Sequence, residues 1–173
     1  PEDFDKAEKI ILPGVGAFDE VMKKLNSSGL IKELNNQVLL KKKYVLGICV
    51  GMQIMAKNSD EGKLEGLGWI DGKVKKINIK NLAHKPYLPH MGWNGIHPTV
   101  IHPLFNNIDF EFGFYFVHSY YFECNDKKNI LCETDYSFKF CSSLVKKNIL
   151  ATQFHPEKSH KNGVLLFRNF YEL

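Results

Sequence analysis

The stretch Tyr44-Val45-Leu46-Gly47-Ile48-Cys49-Val50-Gly51 restricts the folds open to this chain more than any other. An apolar run of strand length leads into a cysteine with a glycine two residues to either side. That pattern describes a buried strand turning sharply into a helix, the basic corner of an α/β sheet. The residue at the apex is forced into a strained backbone conformation, and its side chain is pushed out of the sheet into a cleft. A helix starting at Val50 would point free N–H groups at the same cleft. Those groups and the helix dipole favour a thiolate at Cys49. They also favour the negative oxygen of a tetrahedral intermediate, with the Val50 N–H as first donor. The competing reading is a buried structural cysteine in a glycine-rich turn.

A cysteine nucleophile needs a base, and Phe154-His155-Pro156-Glu157 supplies one near the other end of the chain. Pro156 biases His155 toward extended backbone. On extended backbone His155 and Glu157 project to the same side, roughly 7 Å apart at Cα. The carboxylate then reaches one imidazole nitrogen and leaves the other for the thiol. Cys49, His155 and Glu157 together are the minimal equipment for thiol-based acyl transfer. Zinc ligation by His155 and Glu157 lacks a third ligand at a suggestive spacing. His84, His90, His97, His102 and His160 read as loop or surface residues.

Around these two motifs the chain alternates early between strand and helix. Lys9 to Leu12 reads as a buried strand closed by the loop Pro13-Gly14-Val15-Gly16. Asp19 to Leu25 and Leu30 to Lys42 have helical spacing, with Ile31, Leu34 and Val38 forming an apolar stripe. Tyr44 to Ile48 is the second strand, and Val50 to Lys57 a helix. Hairpins then dominate. Gly66 to Ile79 is strand and hairpin material, and the aromatic run Phe112 to Phe122 is a core strand. Ile130 to Thr134, Phe140 to Val145 and Ile149 to Phe154 are further strands, with a tight turn at Lys147-Asn148. Gly163 to Tyr171 is a closing helix. The order predicts an α/β sheet with an antiparallel extension.

Composition removes several alternatives. A hydrophobic share of 44% against 24% charged is that of a globular chain with a full core. No apolar run reaches membrane-spanning length. The start, Pro1 to Lys6, lacks the pattern of a signal peptide, so a cytoplasmic location is expected. The four cysteines, Cys49, Cys124, Cys132 and Cys141, have no CxxC spacing, which argues against a zinc site; the last three read as small buried hydrophobes. The net charge of +4 is spread over separate lysine runs, which read as solvated faces and not as a nucleic-acid stripe.

Gly47 to Gln53 (GICVGMQ) together with Phe154 to Ser159 (FHPEKS) resembles the class I, or triad, glutamine amidotransferases. Pro89 to Asn94, Tyr115 to Tyr120 and Leu12 to Phe18 narrow the resemblance to the glutaminase subunits of imidazole glycerol phosphate synthases. It runs from about Ile11 to Phe170. It implies a single domain over 1–173 with a three-layer α/β fold, a mostly parallel central sheet and an antiparallel extension. It also implies a strand, a helix and a second strand ahead of the first residue, roughly 30 to 40 residues, so the domain is expected to be N-terminally incomplete.

The same resemblance implies roles. Cys49 attacks the side-chain amide of glutamine, His155 protonates the departing ammonia and then activates water, and Glu157 holds His155. Gly14, Val15 and Gly16 belong to a second oxyanion element beside Val50, one that rearranges to present an N–H. Gln53 and Glu61 hold the ends of glutamine, and His118 and Ser119 lie along it. Trp93, Asn94, Tyr115 and Lys158 stand near the boundary with a cyclase partner, a (β/α)8 barrel to which ammonia is passed for histidine biosynthesis. No cofactor, metal, nucleic acid or membrane is implied. Val50 stands where such proteins usually carry a longer aliphatic residue. Alternatives sharing the motifs are a paralogous glutaminase feeding a sugar amidotransferase of surface polysaccharide synthesis, a free-standing thiol hydrolase of γ-glutamyl amides, and an inactive docking scaffold.

Overall fold

The computed structural model describes residues 2–78 and 87–173. Of the sequence readings, His84 and Ile79 lie outside the described residues. Lys9–Gly14 (β1) and Tyr44–Cys49 (β2) pair in parallel, register Gly14 opposite Cys49. Ile149–Thr152 (β11) lies parallel on the other side of β2, with Ala151 opposite Gly47 and Thr152 opposite Ile48. Flanked on both edges, β2 buries everything after Tyr44, which is why its sequence is a continuous apolar run and not an alternating one. The sheet then turns antiparallel through Lys139–Lys146 (β10), Tyr120–Cys124 (β8) and Gly72–Lys76 (β4). It ends on the two-residue strand Asn58–Ser59 (β3), with Ile130–Asp135 (β9) and His97–Pro98 (β6) branching from β10. A separate pair joins His90–Asn94 (β5) to Phe114–His118 (β7).

This topology answers how the two ends of the chain meet. β2 and β11 are parallel neighbours, so Cys49 at the end of β2 and the segment after Thr152 emerge at one edge of the sheet. His155 is then tied to β7, its N–H donating to Tyr115 O at 2.9 Å. Ser159 closes the link: its hydroxyl donates to His155 O at 2.6 Å and accepts from Tyr115 N–H at 3.0 Å.

Among the described residues the helices are Glu2–Lys6 (α1), Phe18–Ser27 (α2), Ile31–Asn35 (α3), Val50–Gln53 (α4) and His160–Glu172 (α5). The predicted helix from Leu30 to Lys42 is α3 followed by a π-helical turn, Asn36–Leu40. The helix expected over Val50 to Lys57 lasts only four residues. Met55 and Ala56 N–H bond three residues back, and the carbonyls of Ile54, Met55 and Ala56 turn outward to accept Leu67, Ile70 and Gly68 N–H. Tertiary backbone bonds thus end α4 early while keeping Ile54 and Met55 buried. The aromatic run is two strands, not one. Phe114 and Phe116 on β7 and Phe122 on β8 all face the core. There Phe114 stacks on Phe154 with centroids 4.0 Å apart. Gly66 to Asp71 is irregular, and β4 starts only at Gly72. No helix of the described residues is long and apolar enough to cross a membrane.

Candidate active site

Cys49 has φ 54° and ψ −111°, a conformation that L residues with side chains rarely hold. The strain predicted for the apex is therefore present. The flanking glycines are needed for packing. A Cβ on Gly51 would sit 1.9 Å from Leu12 O, and one on Gly47 would sit 2.7 Å from Gly51 O. Only bare backbone lets β1, β2 and α4 approach this closely.

The thiol is buried, and burial pushes its pKa up to about 11. The Val50 N–H opposes this, and so does Lys158, whereas Glu157 and Glu61 add to it. The expectation of a stabilised thiolate is thus corrected. A four-residue helix has a small dipole, and loss of water outweighs it. In the resting state the sulfur is a thiol and needs a base.

His155 is that base by position. Its Nδ1 bonds Glu157 Oε1 at 2.6 Å. Its Nε2 is buried with no hydrogen-bond partner. Glu157 achieves this from a 3-10 turn, Pro156–Lys158, and not from extended backbone as the sequence suggested. The carboxylate half-faces solvent while the ring is enclosed, so Glu157 fixes the tautomer from outside.

A cavity of about 220 Å³ opens between these groups, lined among others by Val15, Gly16, Cys49, Val50, Gln53 and Glu61 on one side. Val117, His118, Ser119, Tyr120, His155 and Lys158 complete its wall. It is smaller than the roughly 300–1,000 Å³ of drug-sized ligand pockets, the scale of one amino acid. The lining holds one cation, Lys158, and one carboxylate, Glu61.

The model of the family described as "Glutamine amidotransferase class-I" matches residues 2–173. The imidazole glycerol phosphate synthase subunit HisH of Leptospira borgpetersenii is 47% identical over 172 residues, spanning 99% of this chain and 84% of that one. The subunit HisH 2 of Methanococcus maripaludis is 49% identical over 170 residues, spanning 98% of this chain and 83% of that one. The chain belongs to the class-I glutamine amidotransferases, within the glutaminase subunits of imidazole glycerol phosphate synthase. Solved structures agree on the fold. A glutamine amidotransferase from Thermotoga maritima superposes with TM-score 0.63 at 16% identity, over 97% of this chain and 64% of that one. The glutaminase domain of the Trypanosoma brucei CTPS, with acivicin bound, gives 0.62 at 15% identity, over 99% and 74%.

Within this amidotransferase site most of the residues picked from sequence gather. Val15, Gly16, Cys49, Val50, Gln53, Glu61, His118, Ser119, His155 and Lys158 all line the one cavity. Gly14 stands behind it, where a Cβ would meet Gly51 N at 2.5 Å. Glu61 has a second duty: its Oε2 accepts the Phe18 N–H at 2.9 Å, capping α2. Asp19 returns the contact by accepting from Lys63 and Leu64 N–H. Trp93 and Tyr115 pair across β5 and β7, Trp93 stacks on His160, and Lys158 Nζ lies 5.7 Å from the Tyr115 ring centre. Lys158 therefore joins this exposed aromatic edge to the cavity. Asn94 turns inward and donates to Asp135 O at 2.9 Å.

His90, expected on a loop or the surface, is instead buried on β5 between Phe116 and Tyr136. Its Nδ1 lies 2.9 Å from His118 Nε2. Burial lowers its pKa to about 4; burial and then the His90 charge lower that of His118 to about 3. Gln153 is a site residue that the sequence reasoning missed. It is fully buried, and its Nε2 is 3.7 Å from Cys49 Sγ. The available signal was its place two residues before His155, on the same side of an extended segment.

Proposed function

We propose that this chain hydrolyses glutamine to glutamate and ammonia through a thioester on Cys49, and supplies the ammonia to a cyclase subunit that makes imidazole glycerol phosphate in histidine biosynthesis. The observation that carries the chemistry is the unpartnered Nε2 of His155, enclosed in one cavity with the strained Cys49 while Glu157 holds Nδ1. His155 Nε2 takes the thiol proton as sulfur attacks the amide carbon. The oxygen that becomes negative lies toward the Val50 N–H and the Gly14–Gly16 loop. His155 returns the proton to the nitrogen as the C–N bond breaks, releasing ammonia and leaving the thioester. Water then enters, His155 takes its proton, and C–S cleavage gives glutamate and restores the thiol.

We assign Gln53 and Glu61 to the polar end of glutamine, where their oxygens can accept from the α-ammonium group, and His118 and Ser119 to the stretch along the substrate. A pKa near 11 keeps the thiol protonated and the site quiet until a substrate and base act together. The partner follows from the product. Ammonia in neutral water is mostly ammonium, which is no nucleophile, so a dry route to a second site is needed. Trp93, Tyr115 and Lys158 form the exposed edge that reaches the cavity and suit contact with a (β/α)8 barrel, whereas Asn94, on the opposite face of β5, is engaged with His90 and Asp135. The names of the relatives, subunits of imidazole glycerol phosphate synthase, support a two-subunit enzyme. The test is glutamate and ammonia release by the complex with the cyclase. Wild-type protein should be active and Cys49→Ala should lose activity at least ~10³-fold. Undiminished hydrolysis in Cys49→Ala would refute the assignment.

A further inference from the structure

We propose that Gln153 is a further catalytic residue of this site: its side-chain N–H, oriented by Gln53, hydrogen-bonds the sulfur of Cys49 and steadies the thiolate as it forms. The inference rests on the glutamine-hydrolysing reading above and deepens it. One backbone carbonyl decides the orientation. Tyr120 O can only accept, so the group of Gln53 that meets it at 3.1 Å is the amino group, Nε2. The same Nε2 lies 3.1 Å from the Gln153 side chain, which must therefore present its oxygen. The Gln153 amino group is left facing Cys49 Sγ at 3.7 Å. Both amide flips are thereby fixed by the network. Both side chains are buried, so Gln153 cannot exchange this contact for water. Fixing both Gln53 hydrogens also turns its Oε1 away from them, free to accept from a substrate amino group.

The sulfur needs such a donor. Its other contact, Val117 O at 4.0 Å, can receive a thiol proton but opposes a thiolate. The Val50 N–H favours the thiolate, and burial raises the cost of charge at this position. Gln153, 3.7 Å from the sulfur, would be a second neutral donor.

The test is the second-order rate of iodoacetamide alkylation at Cys49, read by peptide mass, for wild type, Gln153→Met and Gln153→Glu. Gln153→Met keeps length and removes the network; Gln153→Glu keeps an oxygen for Gln53 and removes the amide donor. A hydrogen bond to an ionised group changes an ionisation equilibrium about tenfold or more. Greater nucleophilicity of a less acidic thiol returns part of that. Alkylation near pH 7.5 should therefore slow about three- to tenfold in Gln153→Met, and its rising limb should move to higher pH. Glutamine kcat should fall about tenfold or more with KM within about twofold. Alkylation profiles and kcat that match wild type in both variants would overturn the proposal. If Gln153→Met does not fold, Gln153→Glu decides alone. Alkylation requires no turnover, so it reports on Gln153 independently of glutamine hydrolysis. A wild-type protein that releases no glutamate would instead count against the function itself.

Discussion

Lowering the pH from 7 to 5 should destabilise this protein by about 4 kcal/mol, carried by two buried histidines. His118 Nδ1 lies 2.8 Å from Tyr120 O, which fixes its proton there and makes Nε2 an acceptor. His90 must then donate from Nδ1, leaving its Nε2 to accept from Asn94 at 3.3 Å. Each ring is neutral and fully used, with pKa values of about 4 for His90 and about 3 for His118 against an ordinary 6.5. In the unfolded chain both take up protons below pH 6.5, whereas the native rings do not. Stability is thus fully present above that value and is lost as pH falls toward the native values. Each pH unit below 6.5 removes about 1.4 kcal/mol per ring, so pH 5 removes about 2 kcal/mol from each. Against a typical total of about 5–15 kcal/mol that is a large share. The carboxylates held low, such as Asp19 by the Lys63 and Leu64 N–H groups, titrate below this window. The assay is urea unfolding at pH 7, 6 and 5, with His90→Phe alongside. The phenyl ring keeps the stacking on Phe116 and Tyr136. His90→Phe should be less stable at pH 7 by about 1–3 kcal/mol, because His118 Nε2 loses its donor. Its further loss between pH 7 and 5 should be about half that of wild type. Equal pH slopes in the two proteins, or a wild-type change under about 1 kcal/mol, would refute the reasoning.

Further outcomes follow from single contacts. Cys49→Ala should abolish glutamine-dependent synthesis by the complex yet spare synthesis from added ammonium salts; parallel loss of both would contradict the division of labour. Glu157→Gln keeps a neutral acceptor near His155 Nδ1 but removes the charge that supports an imidazolium, and kcat should drop about 10²-fold or more with little change in KM. Gly51→Ala places a methyl 1.9 Å from Leu12 O and should cost about 3 kcal/mol or more, seen as a lower thermal midpoint. Asp19→Ala releases the loop that carries Glu61 and should raise KM for glutamine several-fold while leaving the Cys49 alkylation rate unchanged.

The corner at Cys49 was legible in sequence because glycine spacing encodes close backbone approach, and that is a local property. β2 was legible because a strand buried on both faces must be apolar throughout. His155 and Glu157 were legible as a pair from their closeness in the chain, although the contact is made across a 3-10 turn and not along the extended backbone the spacing suggested. What escaped was set by partners far along the chain. α4 stops after four residues because carbonyls near its end accept N–H groups from 67 to 70. The burial of His90 depends on β7 pairing with β5, which no local spacing announces. Gln153 escaped for the same reason, its meaning lying in Gln53 and Cys49, both remote in sequence. The thiol pKa went the other way from expectation because a dipole argument can be made from sequence, whereas desolvation needs the packed surroundings.

Acid quench of the complex during turnover of isotope-labelled glutamine, followed by peptide mapping, addresses the Cys49–His155 pairing most directly. A glutamyl group should appear in thioester linkage on Cys49 alone, and His155→Ala should form none at neutral pH. Label on Cys124, Cys132 or Cys141, or sustained hydrolysis with Cys49 never acylated, would contradict the account.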